Sequence, residues 1–134
     1  MGRAAFELFC RTPGSKALSE GEKRAITRAQ PFMTEARHHM LKSRAGCIVA
    51  HEFRPDAGRD RLGTVLVLHG WRSRTEYMKA LIEACRAAGY RVVSLDLPGH
   101  GASKGRRLTM VSAVDAALLA QGSTPVDWRL AAER

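Results

Sequence analysis

Apolar and polar residues follow two different rhythms in the central part of the chain. Residues 36–43 and 47–54 form two short segments around a turn signal at Ala45-Gly46, and the second segment alternates, which predicts a β-hairpin. The apolar runs 64–69 and 91–97 are continuous, as is typical of strands buried on both faces. We therefore expect a hairpin followed by a pair of more deeply buried strands.

Apolar residues at helical spacing predict one helix between the two buried strands and another after them. The first covers residues 73–88, with a capping box of Ser73 and Glu76 at its start and Gly89 after its end. The second covers residues 109–122. The inward faces are expected to be Met78, Leu81, Ile82, Cys85 and Ala88 in the first helix, and Met110, Val111, Val114, Ala117 and Leu118 in the second. The resulting β-α-β-α order predicts an α/β fold with parallel strands.

The N-terminal residues 1–35 are expected to form a helical extension that packs onto the rest of the chain. A short helix is predicted over residues 4–10. A capping box of Ser19 and Glu22 starts a second helix, which Pro31 is expected to interrupt or end because proline lacks the N–H of a helix interior.

The chain is basic, with 22 Lys and Arg against 13 Asp and Glu and a formal net charge of +9. The excess is spread evenly, with 12 basic and 7 acidic residues in 1–61 and 10 and 6 in 62–134. The tightest cluster is Lys104, Arg106 and Arg107. Aromatic residues make up only 6% of the chain, so base-stacking platforms are poorly supplied. The charge therefore predicts a solvated basic surface and not a nucleic-acid partner.

The cysteines and histidines show no spacing typical of a metal or redox site. Cys10, Cys47 and Cys85 are widely spaced and are expected to be buried, inert thiols of a reducing compartment. His38-His39 are adjacent, so on a strand they point to opposite faces. We expect no metal and no cofactor.

Since no targeting segment and no apolar stretch of about 20 residues occurs, a cytoplasmic protein without a membrane partner is predicted.

Two motifs follow the ends of the two buried strands. His69-Gly70-Trp71 ends the first, within "LVLHGWRSR", and the second ends in "YRVVSLDLPGHGASKG". In residue type, spacing and context, these stretches resemble the α/β-hydrolase superfamily, and within it the esterase, lipase and serine-aminopeptidase-like branch. The resemblance covers residues 36–127, the N-terminal half of such a fold. It implies a partial α/β-hydrolase domain over 36–127, preceded by the extension 1–35 and followed by a divergent tail, 128–134.

The resemblance assigns an electrostatic role to the first motif. In this superfamily the residue after His-Gly donates one backbone N–H to the oxyanion hole, and that residue here is Trp71. His69 and Gly70 complete the oxyanion-loop motif, and Gly70 is expected to permit a close backbone path. One such donor is worth about 3 kcal/mol of transition-state stabilisation.

The second motif is expected to shape a loop. Asp96 is expected to accept loop N–H bonds, and Gly99 and Gly101 flank His100 in a turn that needs unusual dihedrals or tight packing. We expect His100 to form part of a cleft wall and not to act as a general base. In this superfamily the catalytic acid comes from a later strand, so Asp96 is expected to be structural.

Gly101-Ala102-Ser103-Lys104-Gly105 fits G-x-S-x-G, the pattern of a nucleophilic serine, but its context differs. Such a serine lies in a sharp turn directly between a strand and a helix. Here Pro98-Gly99-His100 separate the loop from the strand, and the following helix begins only near Thr109. We therefore predict that Ser103 belongs to the loop Gly-x-Gly-x-Ser that the superfamily carries at this place, and is not the nucleophile.

The resemblance also implies that the triad is absent. In this superfamily the nucleophile follows the next strand, whereas residues 128–134 differ from the sequence expected there. The chain is therefore expected to be truncated before the nucleophile strand. The expected function is hydrolysis of ester or amide bonds by the family, with this chain inactive alone. The alternative is a non-catalytic fragment or interaction module that needs a partner to complete the sheet. An exposed sheet edge is expected to promote poor folding and self-association.

A third interpretation, a small dinucleotide-binding unit, has less support. The loop misses G-x-G-x-x-G because Gly105 is one residue late, and it does not open directly into a helix. The resemblance implies instead a small-molecule ester or amide as the substrate of the complete family fold.

Overall fold

The computed structural model describes residues 18–43, 46–56, 62–105 and 108–123. These residues form a four-stranded mixed sheet with helices on both faces. The elements are α1 (Glu20–Met33), β1 (Arg37–Ser43), β2 (Gly46–Phe53), β3 (Thr64–Leu68), a 3-10 turn (Thr75–Met78), α2 (Lys79–Ala87), β4 (Arg91–Asp96) and α3 (Met110–Ser123). The predicted helix over 4–10, Ala45 of the predicted turn at Ala45-Gly46, and the tail 128–134 lie outside the described residues.

The strands lie in the order β1-β2-β4-β3. Strands β1 and β2 pair antiparallel, as do β2 and β4, whereas β3 and β4 are parallel and joined through α2. The prediction of a hairpin followed by a β-α-β-α unit is confirmed. Because β3 and β4 run in the same direction, the loops that follow them meet at one edge of the sheet.

The alternation along β2 divides the core between the two faces of the sheet. Ile48 and Ala50 contribute to a buried cluster beneath α3, and Phe53 contributes to a second one on the opposite face. The first cluster consists of Leu41, Ile48, Ala50, Val93, Leu95, Ala116 and Ala120, and the second of Phe32, Met33, Phe53, Val67, Ile82 and Val92. The rings of Phe32 and Phe53 stack at 4.6 Å between centroids, which fixes the end of α1 against the sheet.

The prediction that Pro31 interrupts or ends the first described helix is wrong. The capping box of Ser19 and Glu22 forms as expected, with bonds of 2.7 and 3.2 Å, but α1 continues through Pro31 to Met33. Pro31 lies in the last turn, so only one intrahelical donor is lost there. The Thr34 hydroxyl donates to the Pro31 carbonyl at 2.6 Å, and burial of the residues after Pro31 offsets the missing bond.

The predicted start of the second helix is also wrong, whereas its end is confirmed. Glu76 does not cap Ser73. Its buried carboxylate is held in a bidentate pair by Arg74, with bonds of 2.7 and 2.8 Å. The segment begins as a 3-10 turn and becomes α-helical only at Lys79. The helix ends at Ala87, just before the predicted Gly89, which has a φ of 101°. The Gly89 N–H bond to the Arg86 carbonyl and the Tyr90 N–H bond to the Cys85 carbonyl complete a Schellman motif.

The inward faces of the helices differ from the prediction. In α3, Ala116 and Ala120 are fully buried, whereas Val114 and Leu118 are more than half exposed. In α2, Ile82 is buried as expected, but Leu81 lies on the surface. The helix α3 is apolar almost all the way round, so periodicity could not choose its face. The small alanines allow the closest approach to the sheet, and the structure buries them.

Strand β3 is less buried than its continuous apolar run predicts. It is the last strand in the order over the described residues, and Leu68 is 46% exposed.

Cys47 and Cys85 are free and half-buried, which corrects the expectation of full burial, and Cys10 is outside the described residues. Within the described helices, none has the length and hydropathy needed to cross a membrane.

Candidate functional site

The two motifs meet at the carboxyl ends of β3 and β4. The loop after β3 carries His69, Gly70 and Trp71, and the loop after β4 carries His100. The rings of His69 and His100 lie 5.2 Å apart, and the Trp71 ring meets the His100 ring edge-on at 5.5 Å. The structure thus brings the predicted oxyanion loop and the glycine-rich loop into contact.

His69 ties the first loop to the second. It is buried, its Nδ1–H donates to the Gly70 carbonyl at 2.8 Å, and its Nε2 accepts the Leu97 N–H at 3.0 Å. Both nitrogens are engaged by backbone groups, which selects the neutral Nδ1–H tautomer. Burial lowers the pKa of His69, although the Gly70 carbonyl and the Asp96 carboxylate act in the opposite direction. His69 therefore acts here as a neutral hydrogen-bonding link.

His100 forms the reciprocal link from the second loop to the first. Its Nε2 accepts the Arg72 N–H at 3.0 Å, and its Nδ1–H donates to the Pro98 carbonyl at 3.1 Å. It is also buried. Arg72 has a φ of 57°, which turns the chain sharply after Trp71. Trp71 is 39% exposed, so part of its side chain faces solvent at this site.

Asp96 is the central acceptor of the site. Its fully buried carboxylate accepts the Thr75 N–H at 3.0 Å and the Ala102 N–H at 2.9 Å, one from each loop segment. A third partner is Nε2 of His51 on β2, at 2.8 Å. Burial alone would raise the pKa of Asp96, but the His51 contact and the backbone N–H bonds lower it to about 2. Asp96 is therefore an ionised carboxylate near neutral pH.

The glycines of the second loop have different roles from Gly70. Gly99 and Gly101 have φ values of 75° and 51°, and a Cβ at Gly101 would overlap the Asp96 carboxylate. The close backbone path expected of Gly70 is not observed. Its φ is not positive, and a Cβ there would meet nothing within 4 Å. Glycine is thus required where the loop folds over the buried carboxylate.

Ser103 lies against the ends of β2 and β4 and not in an exposed turn. It is buried, its Oγ accepts the Val49 N–H at 2.8 Å, and its hydroxyl donates to the Asp96 carbonyl. Val49 and Asp96 are paired residues of β2 and β4. The serine therefore bridges the two strands at the point where they separate.

Sequence reasoning missed two histidines of this network. His51 on β2 bonds to Asp96, and its Nδ1 lies 2.8 Å from Nδ1 of His38 on β1. His51 is almost fully buried and His38 is exposed. The signal in the sequence was the polar His51 within the alternating segment 47–54. Only the pairing of β2 with β4 identifies Asp96 as its partner.

The arrangement supplies rigid backbone geometry and an ionised carboxylate, and the described residues contain no group of three or more side chains suited to a metal ion. A separate polar cavity of about 530 Å³ lies at the opposite ends of the strands. It is lined by Glu35, Ala36, Arg37, Glu52, Arg54 and Arg86. None of these belongs to the two motifs, so we place the candidate site at the motif loops.

Residues 65–128 match the sequence profile of the alpha/beta hydrolase family. No curated protein sequence matches the chain. An alpha-beta serine hydrolase homologue from Coxiella burnetii has a TM-score of 0.56 and 19% identity, over 64% of this chain and 43% of that one. A serine hydrolase without a lid from Xanthomonas campestris has a TM-score of 0.54 and 16% identity, over 66% and 44%. An epoxide hydrolase from Vigna radiata has a TM-score of 0.54 and 23% identity, over 68% and 29%.

At these identities the solved structures establish a shared fold. The chain spans less than half the length of each of these three proteins. The region that superposes is a part of the α/β-hydrolase sheet, and the profile match over 65–128 includes both motif loops. Residues 65–128 are thus similar to the alpha/beta hydrolase family, and the described residues carry part of the α/β-hydrolase fold.

Proposed function

We propose that this chain contributes the oxyanion loop of a hydrolase that cleaves ester or amide bonds. In this proposal the Trp71 N–H is a donor to the developing oxyanion, and His69 and Gly70 shape the loop that presents it. Asp96, Gly99, His100, Gly101 and Ser103 form the supporting loop. A small-molecule ester or amide is the proposed substrate, as in the esterase and lipase-like branch.

The observation that carries the proposal is the pair of reciprocal histidine links. His69 accepts an N–H from the β4 loop and His100 accepts one from the β3 loop, so each loop holds the other. A donor stabilises a transition state most effectively when it is fixed before charge develops. Two links on either side of Trp71 provide that rigidity.

The nucleophile is proposed to come from outside the described residues. The hydroxyl of Ser103 is engaged by Val49 and by the Asp96 carbonyl, which supports the prediction that this serine does not attack a substrate. We propose that the chain is an incomplete hydrolase, inactive without segments that supply the triad. Cys47 and Cys85 are free thiols, which supports a proposed location in the reducing cytoplasm.

Binding of an oxyanion mimic tests the proposed role of Trp71. Butylphosphonate presents a tetrahedral anionic centre and needs no covalent nucleophile. When the ¹⁵N-labelled chain is titrated with it, we expect a saturable shift of the Trp71 amide resonance and none at Gly21 on α1. Shifts confined to other parts of the chain would contradict the oxyanion role.

Labelling with a fluorophosphonate tests the role of the serine. We expect no stoichiometric labelling of the chain, and the same background in Ser103→Ala. Labelling that disappears in Ser103→Ala would instead identify Ser103 as a nucleophile and overturn the proposed division of roles.

A second candidate function is a non-catalytic module whose sheet is completed by another chain or by a second copy. The observation that favours this module is the position of β3, which is an edge strand of the sheet over the described residues. Its Leu68 is 46% exposed. Sedimentation velocity distinguishes it. Under this alternative the wild type self-associates and Leu68→Lys is monomeric, whereas Leu81→Lys on the exposed face of α2 is unchanged. A monomeric wild type at all concentrations would exclude self-association.

A further inference from the structure

We infer that His38 and His51 are positioning residues that carry a proton from solvent to the buried end of the network and so control how Asp96 holds the two loops. The exposed ring of His38 is the entry point, and His51 is the link to the carboxylate. The connection to loop function rests on the proposed oxyanion role, whereas the relay itself depends only on the histidines and Asp96.

The geometry is a continuous chain of three side chains. His38 on β1 lies directly opposite His51 on β2 in the strand register. Their Nδ1 atoms are 2.8 Å apart, and their rings meet at 85°. On the other side of the His51 ring, Nε2 lies 2.8 Å from Oδ2 of Asp96. The chain thus leads from the surface of the β1–β2 hairpin to the carboxylate that binds Thr75 and Ala102.

The positions of the protons follow from the charge on Asp96. Because this carboxylate is ionised, it can only accept, so Nε2 of His51 must carry the hydrogen. The contact between the two Nδ1 atoms then requires one hydrogen. With both rings neutral it is on His38, and Nδ1 of His51 accepts it. No other tautomer of the neutral pair satisfies both contacts.

One additional proton can pass along this chain without breaking it. A proton binds at Nε2 of His38, and the hydrogen on Nδ1 of His38 moves to Nδ1 of His51. His38 is then neutral with its hydrogen on Nε2, and His51 is an imidazolium facing Asp96. The contact between His38 and His51 and the contact between His51 and Asp96 are both retained. The added positive charge strengthens the contact between His51 and the carboxylate.

A second additional proton breaks the chain. Both Nδ1 atoms would then carry hydrogen, so His38 and His51 could no longer share a bond. Partial burial of the largely exposed His38 ring lowers its pKa, and the positive charge of His51 acts in the same direction. His39 on β1 also lowers the pKa of His38, whereas Asp96 and the Met33 carbonyl raise it. The charged or titratable groups that interact with Asp96 from the segment after β3 are His69 and Arg74.

The consequence for the site is a dependence of both loops on one carboxylate. The Thr75 and Ala102 N–H groups bind the same Asp96 that His51 contacts. We expect the loops to be held most firmly when the histidine pair carries one additional proton. They are expected to loosen when the pair carries two.

The relay is tested by His38→Asn, whose side-chain NH₂ can still donate toward His51 but cannot bind the additional proton. His39→Asn is the matched control, since His39 is the next residue of β1 and contacts Glu52 at 2.8 Å instead. In ¹⁵N spectra of the ring nitrogens, we expect wild-type His51 to carry its hydrogen on Nε2 at neutral pH. We expect the hydrogen between the two Nδ1 atoms to be on His38 at neutral pH and on His51 once the pair has taken up one proton.

In His38→Asn, Nδ1 of His51 is expected to remain without a hydrogen over the same pH range, because asparagine cannot pass on a proton. In His39→Asn it is expected to gain the hydrogen as in the wild type. A His51 ring with its hydrogen on Nδ1 alone at neutral pH, or an Nδ1 of His51 that gains its hydrogen equally in His38→Asn, would overturn the relay. Circular dichroism of each variant shows whether the fold is retained, and His38→Gln provides a second neutral replacement.

Trp71 fluorescence reports on the loops, with Trp128 replaced by Phe to remove the other indole. Between about pH 8 and pH 5, we expect a transition that His38→Asn displaces and His39→Asn preserves. If both variants behave like the wild type, His38 and His51 do not position the loops. The phosphonate titration is independent of this result, so failure of the oxyanion proposal would be distinguished from failure of the relay.

Discussion

The Ser103 hydroxyl accepts the backbone N–H of Val49 at 2.8 Å and donates to the carbonyl of Asp96. The next residue, Lys104, donates its N–H to the Cys47 carbonyl at 2.8 Å. Residues 103–104 therefore continue along β2 beyond the end of β4. The serine of the G-x-S-x-G stretch occupies a position between strands, where its hydroxyl satisfies two backbone groups.

Ser103→Ala is expected to reduce the free energy of unfolding by about 1–3 kcal/mol, because the Val49 N–H and the Asp96 carbonyl lose a partner in a buried position. Urea denaturation followed by circular dichroism measures the change. Ser103→Thr keeps the hydroxyl and should recover part of the loss. A stability equal to wild type in Ser103→Ala would show that this bridge is not needed.

Asp96→Asn is expected to destabilise the chain by about 3 kcal/mol, since it removes the ionised partner of His51 and one acceptor for the loop N–H groups. Asp56→Asn is the matched control, because Asp56 is half-exposed and lies 3.8 Å from Arg86. Denaturation curves of the two variants give the comparison. Equal small losses in both would contradict the central position of Asp96.

Stability is expected to fall in acid in two windows. The pKa of His38 is lowered from 6.5 mainly by partial burial of its ring, so the unfolded chain binds more protons below about pH 6.5 and stability falls there. The pKa of Asp96 is lowered from 3.8 to about 2 by His51 and loop N–H bonds, against the effect of burial. Its contribution, about 2 kcal/mol, is complete above pH 3.8 and is lost as the pH falls toward 2.

Thermal melts at a series of pH values test both windows. We expect His38→Asn to remove the slope of the upper window and Asp96→Asn to remove that of the lower one. A wild-type stability that does not change from neutral pH to pH 3 would show that neither group is coupled to folding.

Gly101→Ala is expected to destabilise the chain by about 2 kcal/mol or more, because φ is positive there and the new methyl group would overlap the Asp96 carboxylate. Gly70→Ala is the control and should change stability by no more than about 0.5 kcal/mol, since its Cβ would meet nothing within 4 Å. Similar losses in both variants would indicate that Gly70 is constrained in a way that its backbone does not reveal. Both values follow from urea denaturation.

Much of the fold could be predicted from local patterns. Alternation predicted the hairpin, continuous apolar runs predicted the parallel strands, and Gly89 predicted the end of α2. These signals depend on residues that are close in the sequence, so they can be recognised without knowing the tertiary structure. The buried face of α3 could not be predicted in this way, because Val114 and Ala116 are both apolar and only the shape of the sheet decides which is buried.

The candidate site, too, could be predicted from the sequence only in part. The motifs at 69–71 and 96–103 identified the loops and the structural role of Asp96, because turns over a carboxylate demand glycine and short polar residues locally. The contacts of His38 and His51 with this carboxylate could not be predicted from spacing. His51 is 45 residues from Asp96, and strand register alone sets the two side chains 2.8 Å apart.

The sequence by itself determined the elements, the superfamily resemblance and the loop that Ser103 belongs to, since each depends on residue type over a short stretch. Only the tertiary structure decided what Ser103 bonds, which atoms Asp96 holds and how His38 reaches it. Hydrogen bonds form across strands within about 3 Å, and the pairing of strands that creates such distances is a property of the whole sheet.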